Sequence, residues 1–280
     1  MMEHLFPALP VMAAQHAAHS PVYRFLESVA AAHIDALFAQ EEPVARSFGP
    51  FGSLTFPYRR MGAIDSLDLF GLDELILFSF YWANRRRYHR ALDIGANIGL
   101  HTILLSRAGF KVDAYEPDGE HYRLLQENLA LNHIEEVCAH RAAVSHCSGE
   151  AEFVRVLGNT TSSHLAGAKT AYGAVERYTV PVCDIREIIR EVDLVKMDVE
   201  GHEAVILAAL TQEHFARTDI LVEIGSPENA RSVFDHMRRI GVRLFAQKKG
   251  WAEVQAVEEM PVSYKEGTLF LSSKPSMPWS

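Results

Sequence analysis

Cysteine is scarce in this chain: Cys138, Cys147 and Cys183 are the only three in 280 residues. An odd number without C-x-x-C spacing argues against a disulfide framework and against a thiolate zinc site. Long apolar runs are missing too. The longest strongly apolar stretch without a charge, Leu75 to Ala83, is far short of the ~20 residues that span a bilayer. Basic excess is also absent. Against 36 acidic residues there are 27 Lys and Arg, a formal net charge of −9, and an acidic surface repels phosphate backbones and anionic lipid. Neither nucleic acid nor a membrane surface is expected as a partner. The start, MMEHLFPALP, has no basic n-region, and Pro7 and Pro10 interrupt its apolar residues; no signal peptide and a cytoplasmic setting are expected. His16 and His19 could meet on a helix, yet no third ligand accompanies them.

What is present is a globular composition, 48% hydrophobic and 22% charged, of a length that suits one large α/β domain with an accessory segment. The chain divides near residue 90. Helical periodicity over 21–40 and an apolar helix over 73–86 flank a Gly/Pro-rich stretch at 47–62. Residues 1–90 are expected to form a helical lid or accessory segment, which could equally serve as a homodimer contact. Beyond it, strands are expected at 91–94, 111–116, 137–144, 193–198, 220–224, 242–246 and 267–272. Helices fit at 98–108, 118–132, 184–191, 202–210 and 228–240. This alternation describes a doubly wound α/β sheet in domain 91–280. Extended runs at 150–156 and 176–182 read as an inserted β flap, about 150–182, with the polar stretch 158–167 at its tip.

The most informative stretch is ALDIGANIGLHTILLSRAG, 91–109, a strand, a Gly-rich turn and a helix. In an open α/β sheet such a turn floors the ligand site at the carboxyl ends of the strands. Against the dinucleotide fingerprint G-x-G-x-x-G the chain fails twice, with Asn97 and Leu100 where glycines belong, and no P-loop string follows. A ligand without phosphates is favoured, and S-adenosylmethionine is one. Glu116 ends the second strand 21 residues after Gly95, where a carboxylate can accept the ribose hydroxyl hydrogens.

At these residues the chain resembles the FkbM-type family of S-adenosylmethionine-dependent methyltransferases. The likeness runs through DIGANIGLHTILLSRAG (93–109), YEPDGEHYRLLQENLALN (115–132), AAVSHCSGEAEF (142–153), DLVKMDVEGHEAVIL (193–207) and ILVEI (220–224). It implies a class I methyltransferase, Rossmann-like sheet of seven strands with the last antiparallel. It also implies that Asp93, Gly95, Asn97 and Gly99 bind the amino-acid tail of the cofactor, that Glu116 holds the ribose, and that adenine lies near Pro117 and Ala143. The family chiefly methylates hydroxyls on sugars and natural-product scaffolds, with some members acting on nitrogen. Secondary metabolism is the expected setting, with a small-molecule acceptor as partner.

Methyl transfer from a sulfonium is an in-line displacement that needs positioning, exclusion of water and sometimes a base. Asp198, ending the fourth strand, could contact the sulfonium and orient or deprotonate an acceptor hydroxyl. Strand parity sets Lys196, Asp198 and, if extension continues, Glu200 on one side. Lys196 needs a partner, and Glu223 on the next strand is the candidate: the pair either fixes sheet geometry or lets Lys196 tune Asp198 or touch the cofactor or acceptor. His202 can transfer protons or stand as a structural histidine. Glu203 opens the following helix as a dipole-compensating residue, and His164 in the flap is a further base candidate. Some relatives of this fold hold a metal on acids after the fourth and fifth strands. Here Ile-Gly-Ser follows Glu223, and no metal is expected. Phe51, Phe56, Tyr58, Tyr81 and Trp82 could line the acceptor pocket or pack in the core. The competing functions are an N-methyltransferase, a non-catalytic S-adenosylmethionine-binding module, a nucleic-acid methyltransferase and, last, a dehydrogenase. Against the nucleic-acid reading, DVEGHE (198–203) stands where such enzymes carry Asn/Asp-Pro-Pro-aromatic.

Overall fold

A computed structural model describes residues 1–40 and 42–279 of the chain. Three helices precede the first long strand: α1 Met2–Val11, α2 Pro21–Phe38 and α3 Leu72–Ala83. Then come β1 Arg90–Ile94, α4 Leu100–Arg107, β2 Lys111–Tyr115, α5 Gly119–Leu131 and β3 Val137–His140. The inserted piece consists of β4 Ala143–Ser145, β5 Gly149–Val156, β6 His164–Leu165 and β7 Val175–Asp184. The chain ends with β8 Leu194–Met197, α6 Glu203–Ala208, β9 Asp219–Glu223, α7 Pro227–Ile240, β10 Arg243–Ala246, β11 Ala252–Glu253 and β12 Thr268–Ser272.

The main sheet has the order β11-β10-β12-β9-β8-β1-β2-β3. From β9 to β3 the neighbours are parallel, while β12 runs antiparallel to both β9 and β10. This is the class I methyltransferase arrangement, with its last long strand reversed and one short edge strand, β11, added. Strand order reverses between β1 and β8, so their carboxyl ends open the crevice in which such sheets bind ligands.

Alternation along the strands feeds two cores. Ala91, Leu194 and Leu221 pack with α1 to α5, while Leu92, Ile94, Val195, Met197, Ile220 and Val222 pack with the helices of the other face. Caps set the helix starts. Ser20 accepts from the Val22 N–H with Pro21 at the first helical position, and Asp118 accepts from the N–H groups of Glu120 and His121.

Two expectations need correction. Helix α1 was not anticipated, because Pro7 and Pro10 each remove an intrahelical donor. The structure tolerates both losses: the freed Glu3 carbonyl belongs to an exposed residue, and the freed Phe6 carbonyl accepts from Ser79 Oγ at 2.8 Å. The single strand expected over 137–144 is two. Residues 137–140 edge the main sheet, whereas Ala143–Ser145 pairs parallel with β7 in a separate four-stranded sheet of order β4-β7-β5-β6. Period-two patterning does not say which sheet a strand joins. The flap is thus a sheet with its own small core of Ala143, Phe153, Leu165, Val180 and Val182. No described helix is long and apolar enough to cross a membrane.

Candidate active site

The turn after β1 takes its shape from left-handed residues: Gly95 at φ 77°, Asn97 at 52° and Gly99 at 89°. Gly95 is obligatory for a reason other than ligand approach. A Cβ there would stand 1.7 Å from the Asp198 carbonyl oxygen, so the turns after β1 and β8 press backbone to backbone. At Gly99 a Cβ would meet Leu125 Cγ at 3.0 Å, so its small size serves packing against α5.

Above these turns lies a cleft of about 280 Å³, partly open to solvent. Gly95, Asn97, Glu116, Pro117, Ala143, Asp198 and His202 line it, as do His164, Glu200 and Glu223. Asp93, Gly99 and Lys196 are not among its lining residues. Asp93 is fully buried beneath the turn, with Oδ2 accepting from Thr102 Oγ1 at 2.5 Å, so it shapes the floor without reaching the cavity. Gly99 faces α5, as above. Lys196 sits behind the wall, with Nζ 3.9 Å from Asp93 Oδ1, 4.0 Å from Asp198 Oδ2 and 3.4 Å from the Gly95 carbonyl. Its partners are therefore those two aspartates and not Glu223. Register explains this: Lys196 lies directly opposite Asp93 and Leu221, whereas Glu223 lies two residues further along β9. Burial disfavours the Lys196 ammonium, but Asp198, Asp93, Glu74 and Glu223 outweigh it and hold the group above its ordinary range.

Glu116 closes the far wall. Its Oε2 accepts from the Asn97 N–H at 2.7 Å and its Oε1 from the Asp118 N–H at 2.8 Å. Burial pushes its carboxyl up to about 8 despite those two donors. On the β8 side, Glu200 stands in the left-handed region at φ 54°, so the chain turns there rather than extending. It still lines the cleft, paired with Lys169 of the flap, and burial together with Asp198 raises its carboxyl to about 7. Burial likewise lifts Glu223 well above the usual carboxylate range, with Asp198 and Glu74 adding to it. Burial lowers His202 and His164 below the usual imidazole value. Glu203 is buried at the first turn of α6, accepting from the Gly201 N–H and from Asn229 Nδ2, a structural role.

Several wall residues escaped sequence reading. Glu74 reaches the cleft from the first turn of α3, its Oε2 2.8 Å from His101 Nε2, and the His101 charge helps hold it below its usual value against burial. Tyr264 arrives from the loop before β12, and Ile64, Asp68 and Leu69 come from the segment before α3. Of the segments outside the turns after β1 and β8, the flap tip had a signal: the polar stretch 158–167 supplies Thr160, Thr161 and Ser163 to the wall. It is pinned there by the Thr160 N–H donating to the Met61 carbonyl and by His121 Nε2 lying 2.8 Å from Thr160 Oγ1. The five aromatics considered for the pocket are all elsewhere. Phe51, Phe56 and Tyr81 are core residues, Trp82 packs against that core, and Tyr58 donates to Asp65.

The described lining thus holds six carboxylates (Asp68, Glu74, Glu116, Asp198, Glu200, Glu223), three histidines and no lysine or arginine. A diphosphate would find no cation there. A sulfonium would meet acidic side chains with no competing cation in the lining, and Asn97 Oδ1 and Asp198 Oδ1 are buried oxygens with no protein partner, free to meet a ligand's donors. The residues present therefore fit S-adenosylmethionine. Among the described residues no group of three or more His, Cys, Asp or Glu is arranged to hold a metal ion.

Comparison with known proteins gives this geometry its context. Methyltransferase sdnD of Sordaria araneosa is 28% identical over 175 residues, covering 50% of this chain and 68% of the relative. Among solved structures, an O-methyltransferase from Bacillus cereus in complex with SAH is 10% identical with a TM-score of 0.37, over 69% of this chain and 78% of that one. The StiE O-MT segment is 12% identical with a TM-score of 0.38, over 62% of this chain; the chain spans about half of that segment, 52%. Neither structural likeness bears on the substrate. The methyltransferase FkbM domain matches residues 93–246, more than half of the sequence, and includes β1, the turn after it, Glu116 and the DVEGHE turn. This chain belongs to the FkbM methyltransferase family.

Proposed function

We propose that this methyltransferase takes S-adenosylmethionine as its donor and methylates a hydroxyl of a small molecule, a sugar or a natural-product scaffold. The observation that carries this reading is the wall at the ends of β1 and β8, which has acidic side chains, Asp198 and Glu74 among them, and no lysine or arginine among its described residues. Such a wall attracts a sulfonium and repels phosphate-bearing donors or acceptors, nucleic acid included.

When bound, the cofactor supplies an electrophilic methyl group. Gly95 and Asn97 are the residues left to hold its amino-acid end, Glu116 its ribose, and Pro117 with Ala143 its adenine. Asp198 faces the cationic centre and orients the acceptor hydroxyl. The flap tip together with Ile64, Asp68 and Leu69 walls part of the cleft and narrows the access of water. N-methylation is the second reading, because Asp198 would also attract an ammonium. The proposed setting is cytoplasmic secondary metabolism, without a metal.

Calorimetric titration with S-adenosylmethionine, followed by a mass-shift screen of hydroxylated and aminated metabolites, tests the proposal. Binding together with one added methylene on a hydroxylated acceptor supports it. Tight binding of NADH in place of S-adenosylmethionine would overturn the donor, and methylation confined to amines would replace oxygen by nitrogen.

A further inference from the structure

A hydrogen-bonded chain leads out of the cleft through residues that do not line it. His202, in the wall, has Nε2 2.8 Å from Ser145 Oγ. Ser145 is buried, and the same oxygen lies 3.2 Å from Nδ1 of His146, which is exposed. Cavity, buried hydroxyl and solvent are thereby joined without a gap. A serine hydroxyl has one hydrogen, so Ser145 donates to one imidazole and accepts from the other. With His202 protonated at Nε2, the chain points outward: Nε2–H to Ser145, Ser145 O–H to His146 Nδ1. Nδ1 of His202 then keeps its lone pair, and that atom has no hydrogen-bond partner among the described residues.

Methylating a hydroxyl forms an oxygen–carbon bond and breaks the donor's carbon–sulfur bond, the electron pair remaining on sulfur. One proton leaves the acceptor oxygen and needs a group to take it and a route to solvent. Resting on the methyl-transfer reading above, we propose that His202 takes this proton at Nδ1 while its Nε2 proton passes to Ser145, whose own proton passes to His146 and from there to water. His202 acts on the acceptor, and Ser145 and His146 are positioning residues that fix its tautomer; after product leaves, the Nδ1 proton departs through the vacated cleft while water returns a proton through His146 and Ser145 to Nε2. Burial holds the His202 imidazole below its ordinary value, which favours the neutral ring that can accept a proton. The other titratable groups around this wall are Asp198, Glu200 and Glu203 on its own turn, Lys169 paired with Glu200, and Glu223 and Tyr264 across the cleft.

The test is nitrogen NMR of the full chain labelled with ¹⁵N-histidine, read beside calorimetric titration with S-adenosylmethionine. At neutral pH, His202 is expected as the Nε2–H tautomer in the native protein and as a mixture of tautomers in Ser145→Ala, with Ser145→Thr restoring the native signal. S-adenosylmethionine affinity should stay within about threefold in both variants. On the acceptor found by the screen, Ser145→Ala and His146→Gln should each lower kcat about tenfold with little change in KM, and imidazole buffer should rescue His146→Gln. A native His202 bearing its proton on Nδ1, or a Ser145→Ala variant with unchanged tautomer and kcat, overturns the relay alone. Failure to bind S-adenosylmethionine overturns the methyl-transfer reading and the relay with it.

Discussion

Lys196 lies directly across the sheet from Asp93, and its Nζ bridges the 3.9 Å to that carboxylate and the 4.0 Å to Asp198. One buried cation thereby ties the floor of the β1 turn to the acidic wall above it. Lys196→Met leaves Asp93, fully buried, without its counter-charge. The expected loss is about 3 kcal/mol of stability in urea unfolding, the cost of leaving a buried charge unpaired. A loss below about 1 kcal/mol would show that the pair does not support the fold.

At Gly95 the limit is steric. A Cβ 1.7 Å from the Asp198 carbonyl cannot be accommodated without moving one of the two turns. Added to that is the cost of about 1–2 kcal/mol for a side chain in the left-handed region. Gly95→Ala is expected to lose S-adenosylmethionine binding in calorimetry and to unfold at lower temperature. Native affinity in this variant would contradict the close approach of the two turns.

Glu116 should leave a pH signature in stability. Burial lifts its carboxyl from 4.5 to about 8, so the folded chain keeps a proton that the unfolded chain has already released. Stability therefore falls as pH rises from about 4.5 to about 8, then levels off for this group. Glu116→Gln removes its share, at most about 1.4 kcal/mol per pH unit, from the slope of urea-derived stability against pH. A residual slope remains from Glu200 and Glu203, both raised by burial to about 7. A slope unchanged by the substitution would refute the raised value.

Asp198→Asn keeps the shape of the wall and removes a charge beside the reacting centre. Turnover is expected to drop about 100-fold, while the affinity for S-adenosylmethionine weakens by less than about tenfold. Equal losses in both would reduce Asp198 to a binding residue.

Much of the site was legible because its signals are local. A strand ending at Ile94, glycines in the turn and an acid at the end of the next strand lie within 91–116, and the structure sets Gly95, Asn97 and Glu116 together in one cleft. Asp198 and His202 were legible for the same reason, through the short turn that carries them. Asp93 and Gly99 were read from the same turn; the structure puts the Asp93 carboxylate on Thr102 beneath it and packs Gly99 close against Leu125 of α5, contacts no local pattern specifies. Glu74 carries no mark in the sequence beyond a helix start; it becomes a wall residue only because α3 packs beside α4 and meets His101.

The alternation of the long strands and helices of the main sheet from residue 90 onward, the ligand turn and its acidic partner followed from the sequence alone, since periodicity and turn chemistry act over a few residues. Tertiary structure decided the rest. Strand register gave Lys196 its aspartates in place of Glu223, a second sheet captured Ala143–Ser145, and Ser79 supplied the hydrogen bond that lets a proline-bearing segment be helical. Each of these depends on groups distant in the chain meeting in space, and no local pattern specifies which of them meet.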